Sequence, residues 1–345
     1  MTKLPKMAGA NTILHVAKES GLSPATISRV LNNHPYVKEA TRKRVMDTIE
    51  KMSYHRNNIA SGLRSNKSHT IGLIVPRISM TFQSEVITTI QNHLYKHGYN
   101  LMICQSNDSL QMEREMVKTL HSTRVDAVIA ACTLNTTDFS HFDLLMNSGV
   151  PVIFYDRVPT SKTNATLIKG DDTRGGYLAT SHLIEIGCKK IAHISGPLSC
   201  NLYQDRLAGF KKAMQQANLK INDNWMFYQE LTFENARIAV KKMLNSNDRP
   251  DAIVADNDTS AIAALECAKE VGLKVPHDLK IVGYSNDSRS AITSPSITTI
   301  EQFPALMGQK IVEALMVLLG KSTANSEMLV EPTIVPVQLI RRLSA

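Results

Sequence analysis

The sequence predicts a small all-α head followed by a larger α/β core made of two doubly wound, parallel-sheet subdomains. Positive charge is confined to one end: residues 1–70 hold 12 Lys and Arg against 4 Asp and Glu, so this stretch accounts for the whole net charge of +8. Residues 12–53 read as three short helices by the spacing of their apolar positions. From Ile71 onward short apolar runs alternate with amphipathic segments, the pattern of parallel strands covered by helices on both faces.

The head begins with Thr12, a plausible N-cap for "ILHVAKES", whose Ile13, Val16 and Ala17 share one face. Gly21 follows where the chain needs a sharp turn with positive φ. Ser23 caps the next helix, and Pro24 at its first position sacrifices no hydrogen bond. Ile27, Val30 and Leu31 form an i, i+3, i+4 stripe that docks on the first helix, which leaves Ala25, Thr26, Ser28, Arg29 and Asn32 facing outward. A third helix, "EATRKRVMDTIEKM", is amphipathic through Val45, Met46, Ile49 and Met52. Two short helices joined at a glycine and closed by a third form a helix-turn-helix unit, and its charge suits a polyanion. Pro24 and Ala25 are small enough for close approach to base edges, and Ala25 can touch a thymine methyl. Arg29 can read a guanine with two hydrogen bonds, Thr26, Ser28 and Asn32 suit phosphate oxygens, and Ser23 at the cap belongs to the same DNA-binding set.

The composition, with 43% hydrophobic and 20% charged residues, is that of an ordinary globular chain. No window reaches the roughly 20 apolar residues of a membrane span, and the start of the chain lacks the apolar core of a signal peptide. A cytoplasmic protein is expected, with no membrane partner. Cys104, Cys132, Cys188, Cys200 and Cys267 form no C-x-x-C pair and read as reduced thiols. P-loop, dinucleotide-glycine, nucleophile-elbow and H-E-x-x-H patterns are absent from the sequence, so neither an enzyme nor a cofactor is expected. "DNDTS" at 256–260 lacks the spacing of a calcium loop and reads as a strand-end turn.

In the body, "TIGLIVP", "NLMICQS", "DAVIAAC", "PVIFYDR", "KIAHISGP", "DAIVADN" and "LKIVGYSN" read as strands with helices between them. The segment is too long for one five-stranded unit and comes as two similar halves. Ligands in such folds bind at the carboxyl ends of the strands, here in the cleft between halves.

The stretch "ILHVAKESGLSPATISRVLNNHPYVKEATRKRVMDTIEKMSY" resembles the DNA-binding head of the LacI/GalR family of bacterial transcription regulators. The resemblance continues through "NNIASGLRSNKSHTIGLIVP". It covers most of the core through "DDTRGGYLATSHLIEIGCKKIAHISGP", "DRLAGFKKAM", "VADNDTSAIAAL" and "SPSITTIEQ". It implies a DNA-binding domain at 1–56, a hinge helix and linker at 57–70, and a periplasmic-binding-protein-like core at 71–345. Within that core it implies an N-subdomain at 71–167 and 301–325 and a C-subdomain at 168–300 and 326–345. The hinge would order in the minor groove, with Asn58 at the DNA, Ala60 allowing two hinges to approach and Leu63 wedging between base pairs. Arg56, Ser61 and Gly62 depart from the usual proline, arginine and serine there.

By position, the effector-binding residues implied are Phe82, Asp156, Arg206, Asn257, Ser285 and Gln302. Ser285 stands where many relatives carry an aspartate. The expected function is that of a repressor, homodimeric on palindromic double-stranded operator DNA and controlled by a small sugar-like effector. A ligand-controlled activator is the alternative, and a soluble sugar-binding protein a more distant one. "LIRRLSA" carries no leucine heptads, so a dimer is the expected assembly.

Overall fold

The structure, a computed structural model, describes residues 12–31, 34–52, 54, 67–322 and 331–345. The chain divides into two compact units, Met1–Ser68 and His69–Ala345.

In the first unit, α1 (Ile13–Ser20) ends at Gly21, whose φ of 65° is left-handed. Its N–H returns to Lys18 O at 3.3 Å. Next come α2 (Pro24–Leu31) and α3 (Glu39–Lys51). Val16, Ala17, Ile27, Val30, Val45 and Tyr54 form one apolar cluster, as the helical spacing requires. Met46, expected on the buried face of α3, is instead 51% exposed, because a helix this short needs only a narrow buried stripe. Arg42 of α3 donates to Val30 O and His34 O, satisfying carbonyls at and beyond the end of α2, while Lys51 pairs with Glu19 of α1 at 2.9 Å.

The second unit has two halves. The first holds β1 (Thr70–Val75), α4 (Thr81–Lys96), β2 (Asn100–Gln105), α5 (Leu110–Ser122), β3 (Ala127–Ala130), α6 (Asp143–Met146), β4 (Val152–Tyr155) and β5 (Thr166–Gly170). Its sheet is parallel, in the order β5-β4-β3-β1-β2, with one further strand from 333–335 beside β5. The second half contributes α7 (Asp172–Glu185), β6 (Ile191–Ser195), α8 (Asn201–Gln216), β7 (Met226–Tyr228) and α9 (Phe233–Leu244). It continues with β8 (Ala252–Ala255), α10 (Asp258–Glu270), β9 (Lys280–Val282) and α11 (Ser288–Ile292). Its parallel sheet runs β7-β6-β8-β9. β3, β4 and β8 are buried at every position. Helices cover both faces, which is why these runs are continuously apolar rather than alternating.

The chain then returns through β10 (Thr299–Glu301) to α12 (Pro304–Leu318) in the first half, adds β11 (Thr333–Val335) beside β5, and crosses back into β12 (Gln338–Ile340), antiparallel to β10. Two features differ from the boundaries expected at 167 and 326. The N-terminal sheet extends through Gly170, and it takes its outermost strand from 333–335, a stretch assigned to the other half. β5 escapes a sequence reading because it is short and carries Lys169 at its fourth position, where the ammonium pairs with Asp205. The tail beyond β12 also knits the second half: Ser344 accepts from Thr298 N at 2.9 Å and donates to Ile281 O.

Helices α7 and α8 pack with little space between their backbones. A Cβ on Gly176 would lie 2.1 Å from Arg206 O, and one on Gly209 would lie 2.0 Å from Thr173 O. Glycine is needed at both positions for this approach.

Candidate functional site

In the head, Ser23 accepts from Thr26 N at 3.1 Å, fixing the first turn of α2. Ser23, Pro24, Ala25 and Arg29 are exposed, Thr26 and Ser28 half-buried, and Ile27 and Val30 buried beneath them. The outward face of α2 therefore presents Ser23, Pro24, Ala25 and Arg29 to solvent. Asn32, Asn58, Ala60 and Leu63 lie outside the described residues. Beside α2, Thr26, Arg29, His34, Tyr36, Lys38 and Thr41 line an open groove of about 410 Å³. Sequence reasoning missed Tyr36, which is 90% exposed. Its signal was present: one large aromatic in a turn, outside every helical stripe.

In the second unit, the strand ends bring several expected residues together. Asp156 follows β4 with φ 59° and is 7% exposed. Its carboxylate accepts from Gln83 Nε2 at 3.1 Å, and Gln83 in turn accepts from the Tyr155 hydroxyl. Burial pushes the Asp156 carboxyl up to about 6, even with Arg157 and Arg206 nearby. Arg206 leaves α8 and is 5% exposed. It donates to Asp172 Oδ1 at 2.8 Å and to Asp256 O at 2.6 Å, and stacks 3.6 Å from the centroid of Tyr284. The tyrosine hydroxyl also reaches Asp172, at 3.0 Å. Burial raises the Asp172 carboxyl, and the facing guanidinium opposes that rise.

The other expected ligand contacts are engaged differently. Phe82, 7% exposed, belongs to the apolar core of the first half rather than presenting an open face. Asn257 caps α10, accepting from Ser260 N at 2.8 Å and donating to Leu231 O at 3.0 Å. "DNDTS" is thus the start of a helix rather than a turn alone. The Ser285 hydroxyl donates to the carbonyl of Tyr284. Gln302 is buried between β10 and α12, at a crossover between the halves.

The halves touch directly across the cleft. Arg77, after β1, donates to Glu230 at 2.8 Å, and Thr81 Oγ1 donates to Asp287 at 2.8 Å. Asn201 of α8 accepts from Val158 N at 2.9 Å and donates to Asp156 O at 3.1 Å. A molecule seated here would meet groups from both halves, which are joined by three crossovers.

The comparisons with known proteins agree with this two-part architecture. Residues 12–57 match the model for bacterial regulatory proteins of the lacI family, and residues 180–344 match that for a periplasmic binding protein-like domain. The HTH-type transcriptional repressor PurR of Aliivibrio salmonicida is 35% identical over 306 residues, covering 88% of this chain and 91% of the relative. The chain belongs to the LacI/GalR family. The PurR protein of Haemophilus influenzae is 32% identical over 96% of this chain and 98% of its own. Among solved structures, the lac repressor dimer bound to operator and the anti-inducer ONPF superposes with a TM-score of 0.85. It is 25% identical and covers 97% of this chain and 99% of that one. A LacI-type regulator from Alkaliphilus metalliredigens complexed with D-xylulofuranose gives a TM-score of 0.67 at 26% identity, covering 80% of this chain and 99% of that one. As a LacI-family member the chain is a DNA-binding transcription regulator and not an enzyme. Among the described residues, no helix is long and apolar enough to cross a membrane.

Proposed function

We propose that this chain is a homodimeric repressor of palindromic double-stranded operator DNA whose affinity is set by a small polar effector held between the two halves of its core. The observation that carries the reading is the outward face of α2, where Pro24, Ala25 and Arg29 are exposed over a buried Ile27 and Val30 in a strongly basic head. Thr26, Ser28 and Asn32 hold phosphates, Ser23 and Pro24 set the helix start against the DNA, Ala25 and Arg29 read bases, and Asn58, Ala60 and Leu63 serve the minor groove. Two-fold symmetry of the dimer matches two half-sites. Asp156 and Arg206 face the effector, with Phe82, Asn257, Ser285 and Gln302 shaping or supporting its seat. A sugar is the first effector class to examine, given the sugar held by a structural neighbour.

The test is selection of bound fragments from random duplex DNA, followed by titration of the recovered site with wild type and Arg29→Ala. Losing a bidentate base contact is worth about 1–3 kcal/mol, so the variant should bind its site at least several-fold more weakly and tolerate changes at one base pair per half-site. Recovery of the same site by a chain lacking residues 1–68 would refute the reading.

A further inference from the structure

The core unit begins at His69, at the end of the linker expected over 57–70. His69 has a φ of 51°, the left-handed conformation that a residue with a Cβ seldom adopts unless its surroundings hold it there. It stands directly before β1, whose parallel ladders start at Thr70 beside Asn100 and at Ile71 beside Ala127. An extended residue at 69 would let β1 run straight on past the edge of the sheet. The left-handed one turns the chain off the strand axis, so His69 sets the direction in which the linker departs.

Three segments hold His69 in that conformation. Its N–H donates to Asp126 Oδ2 at 3.1 Å, and its carbonyl accepts from Asn100 N at 2.8 Å. Asp126 N in turn donates to Thr70 O at 2.9 Å. The imidazole lies 5.6 Å from the Tyr99 ring, tilted by 40°. Tyr99 is 4% exposed and packs in the apolar core of the first half, so it is a fixed support. Lys321, just past α12, places Nζ 4.2 Å from the centroid of the same ring.

The pairing of β1 accounts for the His69 carbonyl and the bond between Asp126 and Thr70, but not for the rest. The Asp126 carboxylate, the imidazole–tyrosine contact and the lysine all lie outside the ladders, and His69 itself is exposed. What they add is orientation.

A fixed exit matters to a protein that carries two DNA-binding heads. Once one head is bound, the other meets its half-site at an effective concentration set by the stiffness and geometry of the connection. A rigid root concentrates that encounter at one half-site spacing. A loose root spreads it thinly over several.

We propose that His69, Asp126, Tyr99 and Lys321 form a clasp that fixes the direction in which the linker leaves the core, and thereby the half-site spacing that the dimer accepts. The proposal rests on the reading of this chain as a dimeric regulator of palindromic DNA. His69 is a positioning residue: it acts on DNA through the linker, without touching a base.

The test compares full-length wild type, His69→Gly and Asp126→Ala on the operator recovered by selection, on that operator with one base pair inserted or removed at its centre, and on a duplex with a single half-site. One inserted pair turns the half-sites by about 35° relative to each other. Wild type should lose at least tenfold in affinity on either altered spacing. His69→Gly keeps the left-handed backbone without strain but loses the ring contact, and Asp126→Ala removes the acceptor for the His69 N–H. Each variant should bind the recovered operator at least fivefold more weakly and lose less than threefold on the altered spacings. Each should bind the single half-site as wild type does. A merely structural role would lower the melting temperature without changing the spacing preference. The proposal is overturned by a His69→Gly protein that keeps the wild-type spacing preference, or by equal weakening on single and paired half-sites. His69→Gly decides alone if Asp126→Ala does not fold. A wild type that binds paired half-sites no more tightly than one would instead sink the dimeric reading, and the clasp with it.

Discussion

Asp156, singled out by its sequence position, takes its chemistry from the fold. In the unfolded chain an aspartate titrates near ~3.9, whereas burial holds this one up to about 6. Between those values the folded state binds more protons than the unfolded state. Its contribution to stability is therefore full below about 4 and is lost as pH rises through about 6. Asp258, which burial pushes up to about 7, acts in the same direction over a slightly wider range. Asp156→Asn keeps an oxygen for Gln83 and removes one of these titrations. Relative to wild type it should gain on the order of 2 kcal/mol between pH 4 and 7, read from urea midpoints at each pH. Identical pH slopes for the two proteins would rule out burial as the cause of the shift. Asp108 and Arg157 teach the complementary lesson: they are 49 residues apart in sequence, and no local pattern announces that they meet.

At the level of elements, the sequence exposed those that bury both faces. "IGLIV", "AVIA" and "VIFY" are unbroken apolar runs because helices cover each side of the sheet. β7, β10, β11 and β12 are three residues long, and β5 mixes Thr and Lys into its five, so periodicity has too little length to work with. In the head, the α1 and α2 stripes were legible because three short helices have few other ways to bury them. The α7–α8 pair was not legible as a close contact, although "DDTRGGYLAT" carries one of the glycines that permits it. Gly209→Ala places a methyl against Thr173 O in a space that cannot hold it. It should destabilise the core by about 1–3 kcal/mol or more and shift Arg206, which leaves the same helix three residues earlier. Denaturant unfolding of the variant checks the first expectation, and loss of effector response at temperatures where it stays folded checks the second. A variant as stable as wild type would mean that the helices can separate without penalty.

Across the whole core, the halves meet through Leu134 packed into the apolar cluster of the second half, the buried Asn201 bonds, the Lys169–Asp205 pair, and polar contacts at Arg77 and Thr81. The Arg77–Glu230 pair is partly exposed on both sides, so solvent screening limits it to about 1 kcal/mol or less. Together with the Thr81–Asp287 bond it would oppose any opening of the cleft. Glu230→Gln combined with Thr81→Val should speed amide hydrogen exchange several-fold in the loops at 76–80 and 229–232. Both sheets should keep wild-type protection. Equal protection of those loops in variant and wild type would show that the two bonds do not hold the cleft.

The return of the chain to each half also fixes an order of events during synthesis. Neither sheet can reach its final form until residues 333–345 have been made, because β11 completes one half while β12 and Ser344 tie down the other. Among the described residues, the apolar cluster of the head draws on nothing beyond Tyr54. The three helices of the head can therefore bury their apolar cluster on the ribosome while the core is still incomplete.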